Sequence, residues 1–165
     1  MKLLTRCISF AGAVCTLVAC SQDKSASAGT DWIANATTAC ETYLTPDVVG
    51  TIWAKPAGRA KPVDTRSATA KECRFQADSG FSITITLNTG GPESFDGGQK
   101  YLVKPLPLPD VGDKASITGD GIVAVKGSNR TCHIDALCNT GSIQLSRDAL
   151  AQKFGEICNK LFALP

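Results

Sequence analysis

The clearest pattern in the chain is FSITITLN, residues 81–88, where Phe81, Ile83, Ile85 and Leu87 alternate with Ser82, Thr84 and Thr86. Successive side chains of a strand point to opposite faces, so this period of two predicts a half-buried strand. Cys73 and Phe75 precede it across a short turn containing DSG, which predicts a hairpin. A second hairpin is predicted in GIVAVKGSNRTCHIDAL, with strands over 121–126 and 131–137 turning at Gly127-Ser128-Asn129.

Two other stretches carry the helical period. In CETYLTPDVVGTIWAKP, Thr45 is placed to cap a helix, Pro46 suits its first turn and Asp47 its positive end. Val48, Val49, Ile52 and Trp53 form its apolar side, which predicts a short helix from 46 to 54. In SRDALAQKFGEICNKLFALP, Ser146 is the cap, and Leu150, Phe154, Ile157, Cys158 and Leu161 recur at helical spacing. Gly155 lies inside this helix at a cost of about 1 kcal/mol relative to Ala, and close packing against the sheet is the expected reason. Between the hairpins, GGPESFDGGQKYLVKPLPLPDVGDK predicts a short helix over 93–102 and then a proline-stiffened loop. Hairpins flanked by helices predict an α+β fold: a single domain with an antiparallel sheet packed by a short N-terminal helix and an amphipathic C-terminal one.

The N-terminus follows a different logic. Lys2 and Arg6 precede a short apolar run from Ile8 to Val18. The run falls short of the roughly 20 residues that span a bilayer and reads as a signal segment. It ends in Leu17-Val18-Ala19-Cys20, which resembles the lipobox of bacterial lipoprotein precursors. That resemblance implies a signal peptide over 1–19, lipidation of the Cys20 thiol and amine, and anchoring to an envelope membrane. Ser21, rather than Asp, after Cys20 implies the periplasmic face of the outer membrane. An ordinary secretory signal with a chance cysteine is the alternative. SQDKSASAGT then has little to bury, so residues 20–30 are expected to be a flexible tether, and 31–165 the globular domain.

Charge narrows the partners. The chain has 17 basic and 15 acidic side chains, and losing Lys2 and Arg6 brings the two to parity. A neutral surface with no basic block offers nucleic acid no general attraction, and none is expected as a partner. Lys55, Arg59, Lys61 and Arg66 are interrupted by Pro56, Gly58, Pro62 and Asp64, which predicts a solvated loop.

A cysteine before LTPDVVG, a second in ECRF, VGDKA after a Pro-rich loop, two hairpin strands and a final helix resemble a family of small cell-envelope lipoproteins. That family is best known from actinobacteria and implies a PsbP-like α+β sandwich over residues 38–162. The chain departs from the pattern at Phe75, where Trp is usual, and in its late cysteines.

Removing the signal and acylating Cys20 leaves Cys40, Cys73, Cys132, Cys138 and Cys158, an odd number in an oxidising compartment. A Cys40–Cys73 bridge is expected to staple the opening helix to the first hairpin. A Cys138–Cys158 bridge is expected to join the last strand to the last helix, with Cys132 left as a buried free thiol. A Cys132–Cys138 pair is the alternative. No Cys-x-x-Cys occurs, so neither zinc nor dithiol redox chemistry is expected.

His133 is the only histidine and alternates with Cys132 and Ile134, which puts it on the solvated strand face beside Asp135. No serine sits in a nucleophile elbow, and no catalytic residue is assigned. Asp110, Asp113 and Asp120 lack the ligand spacing of a calcium loop; Gly112 and Asp113 are read as a turn into a strand. FDGGQK lacks a phosphate-binding pattern. No metal or cofactor is expected. The function expected is a non-enzymatic, lipid-anchored binding module with a possible envelope protein partner. An inhibitor or immunity protein against a cell-wall hydrolase or imported toxin is the alternative, and a carrier of a small apolar ligand is the third reading.

Overall fold

The structure, a computed structural model, describes residues 24–53, 60–63, 67–77, 80–100, 105–138 and 143–165. The stretch Leu17-Val18-Ala19-Cys20 that resembles a lipobox lies outside these residues. Its strands are β1 (Ala60–Val63), β2 (Ala70–Gln76), β3 (Phe81–Asn88), β4 (Leu106–Pro107), β5 (Lys114–Thr118), β6 (Gly121–Lys126) and β7 (Arg130–Cys138). Its helices are α1 (Lys24–Thr38), α2 (Cys40–Tyr43), α3 (Pro46–Ile52), α4 (Pro92–Gln99) and α5 (Arg147–Phe162). The described strands form one antiparallel sheet in the order β1-β2-β3-β7-β6-β5-β4, so the domain is α+β.

The alternating stretch lies at the sheet's centre. β3 pairs with β2 on one side and β7 on the other, with Ile83 opposite Ala136, Ile85 opposite Ile134 and Leu87 opposite Cys132. Phe81, Ile83, Ile85 and Leu87 are buried, as are Ile122, Ala124 and Ile134 on the neighbouring strands. α1 covers this face over β2 and β3, and α5 covers it over β6 and β7. The chain then leaves β3 from mid-sheet, reaches the far edge at β4 and returns through β5 and β6 to β7. α4 lies on that crossing and packs on β6.

Local signals account for the helix ends. Thr45 Oγ1 accepts from Val48 N at 3.2 Å and Ser146 Oγ from Ala149 N at 3.3 Å, so both expected caps are made. α3 buries Val49 and Ile52, and Trp53 at its end stacks on Phe81 with ring centroids 4.4 Å apart. At the other end of α5, Arg130 Nη1 donates to the carbonyls of Phe162 and Leu164 at 2.8 and 2.9 Å. A cation there meets the negative end of the helix.

Several expectations are corrected. The tether expected over 20–30 is helical from Lys24 onward. α1 is held at its far end by buried Trp32, Ile33 and Ala36, and extending a helix already nucleated by packing costs little through Ala-containing sequence. The solvated loop expected between Lys55 and Arg66 contains β1, which pairs with β2 from Ala60 opposite Phe75 to Val63 opposite Glu72. Its Lys61 and Pro62 are exposed, and an edge strand tolerates a proline.

The cysteines are corrected in part. Cys40 and Cys73 form the expected bridge, with Cα atoms 6.1 Å apart. Cys158 pairs with Cys132, not with Cys138, at a Cα separation of 5.8 Å. Cys132 is therefore no free thiol, and Cys138 belongs to neither bridge. Cys132 and Cys138 share a strand face, so side-chain alternation does not choose between them. Distance does: α5 runs back along β7, and the eleven residues from its start to Cys158 span about 16 Å at 1.5 Å each. That return covers most of the roughly 20 Å between Cys138 and Cys132 on the strand.

Gly155 packs against the loop before β5, not against the sheet. A Cβ added there would lie 2.5 Å from Val111 Cγ2 and 3.5 Å from Leu108 Cδ2. Gly155→Ala is expected to lower the melting temperature even though Ala is the better helix former by about 1 kcal/mol. In a double-mutant cycle, adding Val111→Ala should recover part of the loss. Additive losses would show that the two sites do not touch.

Candidate functional site

The face of the sheet opposite α1 and α5 is built from the other set of alternating residues. Pairing aligns Glu72, Thr86, His133 and Val123 across four strands, and Arg74, Thr84, Asp135 and Gly121 in the adjacent row. His133 Nε2 lies 3.0 Å from Asp135 Oδ2, so the expected partnership on the solvated face is made. Arg74 lies 3.6 Å from Glu72. Both pairs are partly exposed and add little stability.

Over the β5–β6–β7 half of this face lies α4, and three features place it. Asn88 Oδ1 accepts from Gly90 N at 2.9 Å, closing a turn directly after β3. Thr131 Oγ1 donates to Gly90 O, tying that turn to β7. Gly91 then passes so close to the carbonyl of Ser128 that an added Cβ would collide with backbone. Phe95 buries its ring toward the sheet, and Lys114 Nζ on β5 reaches Asp96 Oδ2 at 2.9 Å.

Between α4 and the sheet remains a cleft of about 260 Å³, open on one side. α4 lines it with Ser94, Phe95, Gly98 and Gln99. The sheet contributes Asn88 from β3, Thr118 from β5, Val123 from β6, and Thr131 and His133 from β7. Among these described residues there is no Lys, Arg, Asp or Glu.

Two features in and beside this wall are unfavourable for the fold alone. Thr118 Oγ1 is buried and has no hydrogen-bond partner among the described residues. An unsatisfied buried hydroxyl costs about 1–3 kcal/mol. The second feature is Gly97-Gly98 inside α4, each costing about 1 kcal/mol relative to Ala. A Cβ added at either position meets nothing within 4 Å, so packing does not require glycine there.

Other residues singled out in the sequence stand elsewhere. Asp110 adopts a left-handed turn conformation, φ 63°, and its carbonyl accepts from Asn159 Nδ2 at 2.9 Å. Asp113 accepts from Lys126 Nζ and Gly127 N, both at 2.7 Å. The Lys126 hydrogen bond first, and the Gly127 amide next, hold its carboxyl below the ordinary carboxylate value. Asp120 lies in the β5–β6 turn, where its carbonyl accepts from Ala136 N. These three aspartates hold separate turns, and the described residues contain no His/Cys/Asp/Glu cluster suited to a metal ion. Cys40, Cys73, Cys132 and Cys158 are structural bridges within the helix-covered side.

Of the cleft residues, sequence reading singled out His133 alone as a chemical candidate. FDGGQK contains glycines without the spacing of a phosphate-binding motif. Its informative feature is a glycine pair inside a helix. Compared with protein-family models, with curated proteins and with solved structures, the chain matches none.

Proposed function

We propose that this protein is a lipid-anchored envelope binding module whose ligand site is the cleft between α4 and the outer sheet face. The observation that carries the site is the make-up of the cleft wall, in which Phe95 and Val123 stand beside the polar side chains of Asn88, Ser94, Gln99 and Thr131. The anchor rests on Leu17-Val18-Ala19-Cys20, which has the order and position of a lipobox. Lipid chains on Cys20 would hold the domain at a membrane surface, since two or more chains anchor stably where one is marginal.

The helix-covered face supports this choice of side. Its apolar residues are buried against α1 and α5 and serve the core, whereas the α4 face combines apolar walls with amides and hydroxyls. Small-molecule sites have that mixture: an apolar lining with a few polar groups that set orientation.

The test has two readouts on the full chain in lipid nanodiscs. Palmitate labelling and membrane sedimentation should be lost in Cys20→Ala; label retained by that variant would remove the anchor assignment. A screen of neutral fragments by saturation-transfer NMR should yield binders whose signal disappears in Gly98→Leu and persists in Gly97→Leu. Binders indifferent to Gly98→Leu, or an absence of binders, would remove the cleft.

A further inference from the structure

We infer that the cleft takes an uncharged saccharide ring, an inference that rests on the cleft being the binding site. Three properties of the wall select this chemistry. The first is charge. The described lining holds no Lys, Arg, Asp or Glu, and its His133 is already paired with Asp135. A charged ligand would leave water without a counter-charge to meet it, a large penalty in any partly enclosed site.

The second is the kind of polar group present. Asn88 has its carbonyl oxygen engaged by Gly90 N, which leaves its amide NH₂ as a donor. Gln99 and Ser94 offer donors and acceptors of moderate strength. A hydrocarbon would satisfy none of them, and burying them without partners is unfavourable. Hydroxyl and acetamido substituents can both donate to and accept from such groups.

The third is shape. Phe95 and Val123 give the cleft apolar surface on both helix and sheet sides, so the ligand must also present carbon. A pyranose ring does both: its C–H faces are apolar and its rim carries hydroxyls. The cleft volume of about 260 Å³ is below the roughly 300 Å³ at which drug-sized sites begin, which suits one substituted ring. Its open side allows the remainder of a longer saccharide to stay in solvent. Gly98 fits the same account. An added Cβ would meet no protein atom, so the space above it is available to the ligand.

The test is saturation-transfer NMR and titration with the full chain in lipid nanodiscs free of glycolipid. The probes are N-acetylglucosamine and methyl glucoside as neutral rings, glucosamine and glucuronate as charged ones, and cyclohexanol as an apolar one. A neutral sugar should bind saturably and lose its signal in Gly98→Leu but not in Gly97→Leu, which keeps the same helix and does not line the cleft. Ser94→Ala should weaken it by about tenfold, the equivalent of one hydrogen bond. Tighter binding of cyclohexanol, glucosamine or glucuronate, with the same loss in Gly98→Leu, would overturn the saccharide class and leave the cleft as the site. Sugar binding unaffected by Gly98→Leu, or no binding by any probe, would overturn both.

Discussion

Reduction of the two disulfides is expected to unfold most of the protein at room temperature. The bridges close segments of 33 and 26 residues, and on the chain-entropy account each restricts the unfolded chain by about 3.5 kcal/mol. Their sum, about 7 kcal/mol, lies within the 5–15 kcal/mol that usually separates a folded domain from its unfolded ensemble. Each bridge also fastens a helical segment to the sheet. Cys40–Cys73 ties the helical N-terminal segment to β2, and Cys132–Cys158 ties β7 to α5. All four residues are fully buried, so alanine at these positions leaves no polar group stranded.

Urea titration of the oxidised protein, the reduced protein, and the paired variants Cys40→Ala/Cys73→Ala and Cys132→Ala/Cys158→Ala measures these effects. Each pair should lose about 3–4 kcal/mol, with the reduced protein losing the sum. A loss under about 1 kcal/mol for either pair would mean that its bridge is not formed, or that the unfolded chain is already constrained there. Peptide mapping without reduction separates the two cases. It should return Cys40 with Cys73 and Cys132 with Cys158; a peptide joining Cys138 to Cys158 would contradict the fold.

Trp32→Ala should be the most damaging single substitution outside the bridges, at about 3–5 kcal/mol. Trp32 is wholly buried, and its indole Nε1–H donates to Leu161 O at 2.8 Å. Its ring stacks on Phe162 with centroids 5.9 Å apart, and the Arg130 guanidinium lies 5.6 Å from its centre. One side chain thus closes α1 onto the last turn of α5, beside the arginine that caps that turn. Truncation leaves a cavity and removes a cation–π contact as well as the hydrogen bond.

Trp32→Phe separates these contributions, since it keeps an aromatic ring and loses the indole N–H. It should cost roughly 1–2 kcal/mol for the hydrogen bond and the smaller ring. Trp53, the other tryptophan, remains as a fluorescence reporter in both variants. A loss under about 1 kcal/mol for Trp32→Ala would show that α1 docks independently of the cooperative core. Hydrogen exchange confined to residues 31–38 would then identify local opening.

The sequence by itself determined the elements whose signal is local. Strand alternation at 81–88, the caps at Thr45 and Ser146, and the helical spacing from Leu150 to Leu161 each lie within one segment. β3, α3 and α5 accordingly form where they were expected. The turn at 127–129 and the outward side of His133 follow from the same short-range rules. The Cys40–Cys73 bridge forms as expected, as a staple between the helical N-terminal segment and the first hairpin.

Only the tertiary structure decided the rest. β1 is a strand because β2 offers it a hydrogen-bonding edge, and a backbone partner leaves no side-chain period to read. Trp32, Ile33, Ala36 and Cys40 are spaced as one helical face, yet the polar stretch before them obscured a helix held by α5, more than a hundred residues away. Cys132 displaced Cys138 as the partner of Cys158 because the return path of a helix, measured in ångströms, fixes what lies beneath it. The cleft belongs to the same class. Asn88, Ser94, Thr118 and His133 come from separate segments, and they meet because the chain crosses the sheet through α4 before β7 returns beside β3. Local chemistry specifies elements, whereas long-range pairing and packing specify which faces meet, and a binding site is made of faces that meet.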